Sequence, residues 1–446
     1  MGFEDKFLPK NESGTKALDD AWYERFEEIA SFQDYEYLDG EKNFREEQKK
    51  KFLAREIENP KLDYPALEKL EFPNKEACLL DLKKTILENE PNEIIKQVYR
   101  WRLNEKIAEL RMLKASKEGR DNRFLKYSEF IYGKPEKDIY KYTISQIKNI
   151  IDKKLFDPDP ETASAAKRLN IELFEALMDT DSNLNPKDFG LLKKSLDKNE
   201  QKYSSEEIKK SFEEALEKYD IAGWNISISE SSSSAINVSQ DKKEVFIPRE
   251  KLLTKTKLAA LIEHEIGTHV LRREKGETSK LKLLGLGLDR YLRGEEGLAT
   301  YKEQSVEGAS EFTGLEGHFA IALATGMDGK KRNFRKVFEI LKDFYFIKSN
   351  KPGTEALESA KNTAWKRCVR TFRGTTSETA GACFTKDIVY REGNISIWTL
   401  AKNNSPELRR ISVGKYDPSN PRHAWILDQL NITDETLAAL DEEDRL

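Results

Sequence analysis

The chain is poor in the residues that staple small secreted folds. Of its 446 residues only three are cysteine, Cys78, Cys368 and Cys383. An odd, widely spaced set excludes a disulfide framework and reads as reduced thiols of a cytoplasmic protein. No run of about 18 apolar residues occurs, so no membrane-spanning helix is expected. The opening MGFEDKFLPKNESGTK lacks the apolar core of a signal peptide, and Lys6 stands where a myristoylation signal carries Ser or Thr. Neither sign of charge dominates, with 76 Lys+Arg against 80 Asp+Glu. That balance gives no general affinity for nucleic acid. No Cys-His pattern suggests a cysteine nucleophile.

What is present describes a globular chain with a highly charged surface, 38% hydrophobic and 35% charged. Its length suits two or three domains. Residues 1–75 are charged and aromatic-rich, and EKNFREEQKKK reads as a solvated helical face. From about 76 to 118 the pattern is helical. Ile94, Val98 and Trp101, then Ile107, Leu110 and Leu113, mark its core side, and Pro91 suits a first helical turn. Further helices are expected up to Gly133, over 142–155 and over 161–178, with Asp157-Pro158-Asp159-Pro160 as a breaker. A polar connection, with one short helix, fills 180–203. Ser231–Ser234 is the one low-complexity tract.

The character changes near 204. Ser204 and Glu207 form a capping-box pattern before a helical face of Ile208, Phe212, Ala215, Leu216 and Tyr219. After Gly223 the period becomes two. Trp224, Ile226 and Ile228, then Ile236 and Val238, then Val245 and Ile247 predict two or three antiparallel strands, stopped by Pro248. A helix follows, capped by Thr254 or Thr256, with Leu258, Ile262, Ile266 and Val270 as its buried stripe. The fold class is therefore α+β. A helical region covers 1–200. A zincin-like catalytic domain covers 201–446, with a small, mostly antiparallel sheet near 224–248 and a motif helix near 256–275. The zincin comparison is an analogy of element order.

That last helix carries His264-Glu265-Ile266-Gly267-Thr268-His269, which holds two of the four histidines. Two imidazoles one turn apart can bind one zinc ion. In the familiar H-E-x-x-H pattern they stand at i and i+4. Here they stand at i and i+5, about 140° apart round a regular helix. They converge only if the helix carries a π-bulge at 265–268, which Gly267 would ease. Glu265 suits a general base that takes a proton from a zinc-bound water and passes it to the leaving amine. Glu296, in a helix beginning near Gly294, is the preferred third ligand, with Glu295 as its competitor. Gly297 beside it would let that helix lie close under the motif helix.

HEIGTHVLRRE (264–274) and EEGLA (295–299), supported by RTFRG (370–374), FTKDIVYREG (384–393) and IYGKP (131–135), resemble the tyrosine/phenylalanine carboxypeptidase family. Its members include microtubule-associated tyrosine carboxypeptidase-like proteins and bacterial QEGLA-motif proteins. The resemblance spans about 50 to 430, and Glu295 stands where the bacterial motif has glutamine. It implies a zinc metallocarboxypeptidase that removes one C-terminal Tyr or Phe from a protein or peptide. His264, His269 and Glu296 would hold one zinc ion, with Glu265 as base. A carboxypeptidase needs a cation for the terminal carboxylate; Arg370, Arg373 and Lys386 are the candidates. Tyr390 is a candidate for the aromatic pocket or for oxyanion stabilisation. His318 reads as a core histidine and His423 as structural. An extended peptide would add to a free sheet edge. Microtubule binding does not follow from these residues. The competing readings are an endopeptidase or aminopeptidase with the same site, and a non-catalytic metal-containing binding protein.

Overall fold

The computed structural model describes residues 17–194, 200–230, 236–349 and 353–433. The first 16 residues and the Ser231–Ser234 tract lie outside them. The helical stretch expected over 76–118 is two helices, Phe72–Asn89 and α1 (Glu93–Lys117). Proline forces the residue before it out of helical geometry, and Glu90 is extended. Asn92 then caps α1, accepting from the backbone N–H groups of Ile94 and Ile95 at 2.9 and 3.2 Å. Pro91 therefore lies before the cap and not in the first turn. Along α1, Tyr99, Leu103, Met112 and Leu113 are fully buried. They share one core with Leu283, Leu284, Phe384 and Tyr416 from far along the chain. A second core joins Ile144, Ile147 and Ala165 to Phe319, Phe334 and Trp365.

The capping box is present at α2 (Ser205–Lys218), where Ser204 N–H donates to Glu207 Oε2 at 2.8 Å and Glu207 N–H returns to Ser204 Oγ. Ile208, Phe212 and Leu216 of α2 pack on a three-stranded sheet. Its strands are β1 (Asn225–Ser229), β2 (Asn237–Ser239) and β3 (Glu244–Pro248), in the order β1-β3-β2. This corrects the mostly antiparallel expectation. β2 and β3 are antiparallel, but the longer pairing, β1 with β3, is parallel. The reason is burial. β3 carries two fully buried residues, Val245 and Ile247, and takes the centre. β2 has a single apolar residue, the partly buried Val238, and stays at the edge. Lys202–Tyr203 pairs separately with Leu253–Thr254.

The motif helix continues from that second pairing. Thr254 caps α3 (Lys255–His264), accepting from Lys257 N–H at 3.3 Å. A π-helical turn, Glu265–Val270, leads into α4 (Leu271–Thr278). Leu258, Ile266 and Val270 bury against the sheet. α5 (Leu292–Glu307) carries the EEGLA motif and crosses α7 (Ile388–Lys402) at close range, while α6 (Gly353–Phe372) precedes it in the chain. A Cβ added at Gly297 would lie 2.4 Å from the Gly393 carbonyl carbon, and one at Gly393 would lie 2.0 Å from the Arg293 oxygen. Gly297 thus faces α7, not the motif helix as its sequence position suggested. Among the described residues no helix is long and apolar enough to cross a membrane.

Candidate active site

The extra residue of the His264–His269 spacing is absorbed by the π-helical turn. Widening the turn brings the two side chains onto one side, with ring centroids 5.2 Å apart and planes at 73°. Neighbours satisfy the backbone there. Thr268 Oγ1 donates to the Glu263 carbonyl at 2.9 Å, and Lys302 of α5 donates to the Gly267 carbonyl at 2.6 Å. Gly267 also leaves room for Glu263 and Tyr219, since a Cβ would lie 2.9 Å from Glu263 Oε2 and 3.1 Å from the Tyr219 hydroxyl. Glu296 comes up from α5. Potential ligand atoms of His264, His269 and Glu296 all lie within 4.8 Å of one another, the one such group of three among the described residues.

Each imidazole is backed by a carboxylate. His264 Nδ1 lies 3.0 Å from Glu303 Oε2, and His269 Nδ1 lies 3.0 Å from Glu295 Oε1. This leaves the Nε2 atoms as the available ligands. Glu295 therefore stands behind His269 and outside the group of three. Successive helix side chains diverge by about 100°, and the buried Glu295 is turned toward Arg272, with which it pairs. Arg272 also donates to the Tyr416 carbonyl at 2.7 Å. Glu303 is paired by Lys257, which reaches Glu307 at 2.8 Å as well. Sequence reasoning missed Glu303. The available signal was its place seven residues after Glu296, two turns along the same helix face.

These pairings set the charges. Burial works against ionised Glu295 and Glu303, but Arg272 for the first, and His264 and Lys257 for the second, hold each carboxyl at about 2. Burial also disfavours a charged His264. The Glu303 hydrogen bond and the charges of Glu265 and Glu296 outweigh it, raising the metal-free imidazole to about 9. Glu265 is raised by burial, only partly offset by the two histidines.

A cleft of about 420 Å³ opens in front of this cluster. Arg370, Arg373, Lys386 and Tyr390 all line it, as do Gln33 and Tyr35 from the N-terminal region and Asn237 and Val238 from the edge strand β2. The cations differ in what already holds them. Arg370 Nε lies 2.5 Å from Asp387 Oδ2, and its guanidinium lies over the Tyr390 ring at 5.5 Å. Lys386 donates to the buried Asp34 at 2.8 Å. Arg373 is half-buried with no hydrogen-bond partner for its Nε. Tyr390 is held protonated, its hydroxyl raised by the negative charge of Glu296 and then by burial. Lys415 and Gln240, which the sequence did not single out, also line the cleft.

The remaining candidates lie elsewhere. His318 is fully buried, its Nδ1 3.4 Å from Thr143 Oγ1 and its Nε2 3.4 Å from Glu392. His423 is fully buried and accepts from Asp417 N–H at 3.0 Å. Cys368 and Cys383 are buried free thiols, and Cys78 is an exposed one. A family model described as microtubule-associated tyrosine carboxypeptidase matches residues 189–430. No curated protein and no solved structure matches the chain.

Proposed function

The chain belongs to the microtubule-associated tyrosine carboxypeptidase family, and on that premise we propose that it is a zinc-dependent carboxypeptidase that removes a C-terminal aromatic residue, Tyr or Phe, from a protein or peptide. The family implies a peptide hydrolase acting on a protein substrate. The metal, the aromatic preference and the roles below are our reading. It is carried by one observation: His264, His269 and Glu296 converge on the wall of a cleft that also holds Glu265 and several cations.

The donor set fits the metal. Two imidazoles and one carboxylate are a ligand set of catalytic zinc sites, which keep a further position open. The carboxylates behind both rings fix their tautomer and orientation, as such sites require. When bound, zinc supplies Lewis acidity toward water and a peptide carbonyl. Glu265 takes the proton of the attacking water and delivers it to the leaving nitrogen. Burial raises its basicity for that exchange. Tyr390, kept protonated, donates to the developing oxyanion. The edge of β2 receives the extended peptide by main-chain hydrogen bonds, and Tyr35, Tyr291 and Phe384 line the cleft where an aromatic side chain would sit. In this reading residues 201–446 are a zincin-like catalytic part, and 1–200 complete the substrate end of the cleft. The free cysteines suit a reducing, cytoplasmic setting.

Metal analysis combined with a C-terminal peptide library, tubulin-like ends included, tests the reading. Zinc-loaded protein should trim free aromatic termini, and chelation should abolish this. Internal or N-terminal cleavage would favour an endopeptidase or aminopeptidase. A binding protein would be indifferent to Glu265→Gln.

A further inference from the structure

Lys415 occupies an unusual position in the cleft. Its main chain is clamped on both sides: its N–H donates to the Leu284 carbonyl at 2.7 Å, and its own carbonyl accepts from Leu288 N–H at 3.0 Å. The residue is 3% exposed. Its ammonium donates to the Gln240 side-chain oxygen at 2.8 Å, and no described carboxylate lies within ion-pair distance. The nearest acid in charge terms, Glu295, is already engaged by Arg272 and His269. Burying an ammonium against a single amide oxygen is costly. Burial pulls its pKa down to about 8; the attraction of Glu295 opposes this, and the repulsion of Arg273 and Arg272 adds to it. A cation kept in such surroundings is suited to receiving an anion that arrives with a ligand.

Its place indicates which anion. Gln240 directly follows β2, the edge strand that borders the cleft. Lys415 therefore sits at the end of that strand. It also borders a neighbouring cavity of about 130 Å³, so it stands at the boundary between the two. A peptide laid along β2 in the same direction as the strand would bring its last residue there. By contrast Lys386 is already paired with the buried Asp34, and Arg370 is held by Asp387, which it shares with Arg367.

We propose that Lys415, held by Gln240 at the end of β2, binds the α-carboxylate of the substrate's terminal residue. The inference rests on the carboxypeptidase reading and names the residue that would confine the enzyme to chain ends. The test compares zinc-loaded wild type, Lys415→Met and Gln240→Glu on aromatic-terminated peptides with a free acid or an amidated end. Calorimetric binding of N-acetyl-L-phenylalanine and its amide supplies a readout without turnover. Lys415→Met should lower kcat/KM for the acid at least about tenfold, the worth of one charge-assisted hydrogen bond. The loss should fall on KM, with the amide little changed. Gln240→Glu should act in the same direction, because its carboxylate would occupy the ammonium. It also keeps the test available if Lys415→Met does not fold. If both variants keep the wild-type preference for the acid, or if Arg373→Gln alone removes it, the assignment to Lys415 is overturned. A wild type with no acid preference in cleavage or binding overturns the carboxypeptidase reading beneath it as well.

Discussion

On one wall of the cleft, His264, Glu265, His269 and Glu296 come from the end of α3, the π-helical turn after it and the second turn of α5. On the other, Arg370, Lys386, Tyr390 and Lys415 come from α6, the turn before α7, α7 itself and the segment beyond it, and each cation meets a different partner. The first wall is a closed chain of pairings. Each imidazole leans on a carboxylate, and each carboxylate on a cation. The second wall mixes cations that are already neutralised with ones that are not. A count of positive charges therefore says little about which of them meets a substrate. The separate pairings say more.

Four substitutions would break or sharpen this contrast. The largest effect should come from Glu265→Gln. Losing a general base costs about 10²–10⁴-fold in kcat, and metal content measured by mass spectrometry should stay unchanged; full turnover would refute the assigned role. Next is Gly297→Val, which forces a branched side chain into the Gly393 backbone. We expect a loss of about 1–3 kcal/mol, typical of overpacking, read by denaturant unfolding. An unchanged midpoint would mean that α5 and α7 can separate freely. Third, Glu303→Gln weakens the support of His264 while leaving Glu295 and His269 intact. Zinc affinity, measured by chelator competition, should fall about 10–100-fold. Equal affinity would show that the first wall does not depend on its outer carboxylates. The smallest effect belongs to Arg370→Gln on the second wall. It is half-exposed and already held by Asp387, which it shares with Arg367, so we expect less than about threefold change in KM, the scale of a weak ion pair. A large rise would restore Arg370 as a main substrate contact.

Much of the first wall is legible in the sequence because it depends on neighbours along the chain. The Ser204–Glu207 cap, the three strands and the motif helix all lie where periodicity indicates. The helical irregularity around Gly267 follows from the five-residue histidine spacing. Other features are not local. Which strand pairs with β1 depends on which has the greater apolar burial and takes the centre. Gly297 reads as clearance for the motif helix, yet its close neighbour is Gly393. Glu295 reads as a rival ligand until Arg272 and His269 are seen to hold it. Lys415 has no motif around it at all.

The sequence by itself determined the helix and strand segments, the need for a widened turn between His264 and His269, and the pool of side chains from which a metal and substrate site could be drawn. Those follow from backbone geometry and residue type within a few turns of chain. Only the tertiary structure decided that Glu296 turns toward the histidines, that Glu303 and Glu295 stand behind them, and that Arg370 and Lys386 meet carboxylates while Lys415 meets only the Gln240 amide. An ion pair is set by distance in space and by burial. Residues such as Asp34 and Lys386, far apart in the chain, can settle each other's charge without leaving any local trace of it.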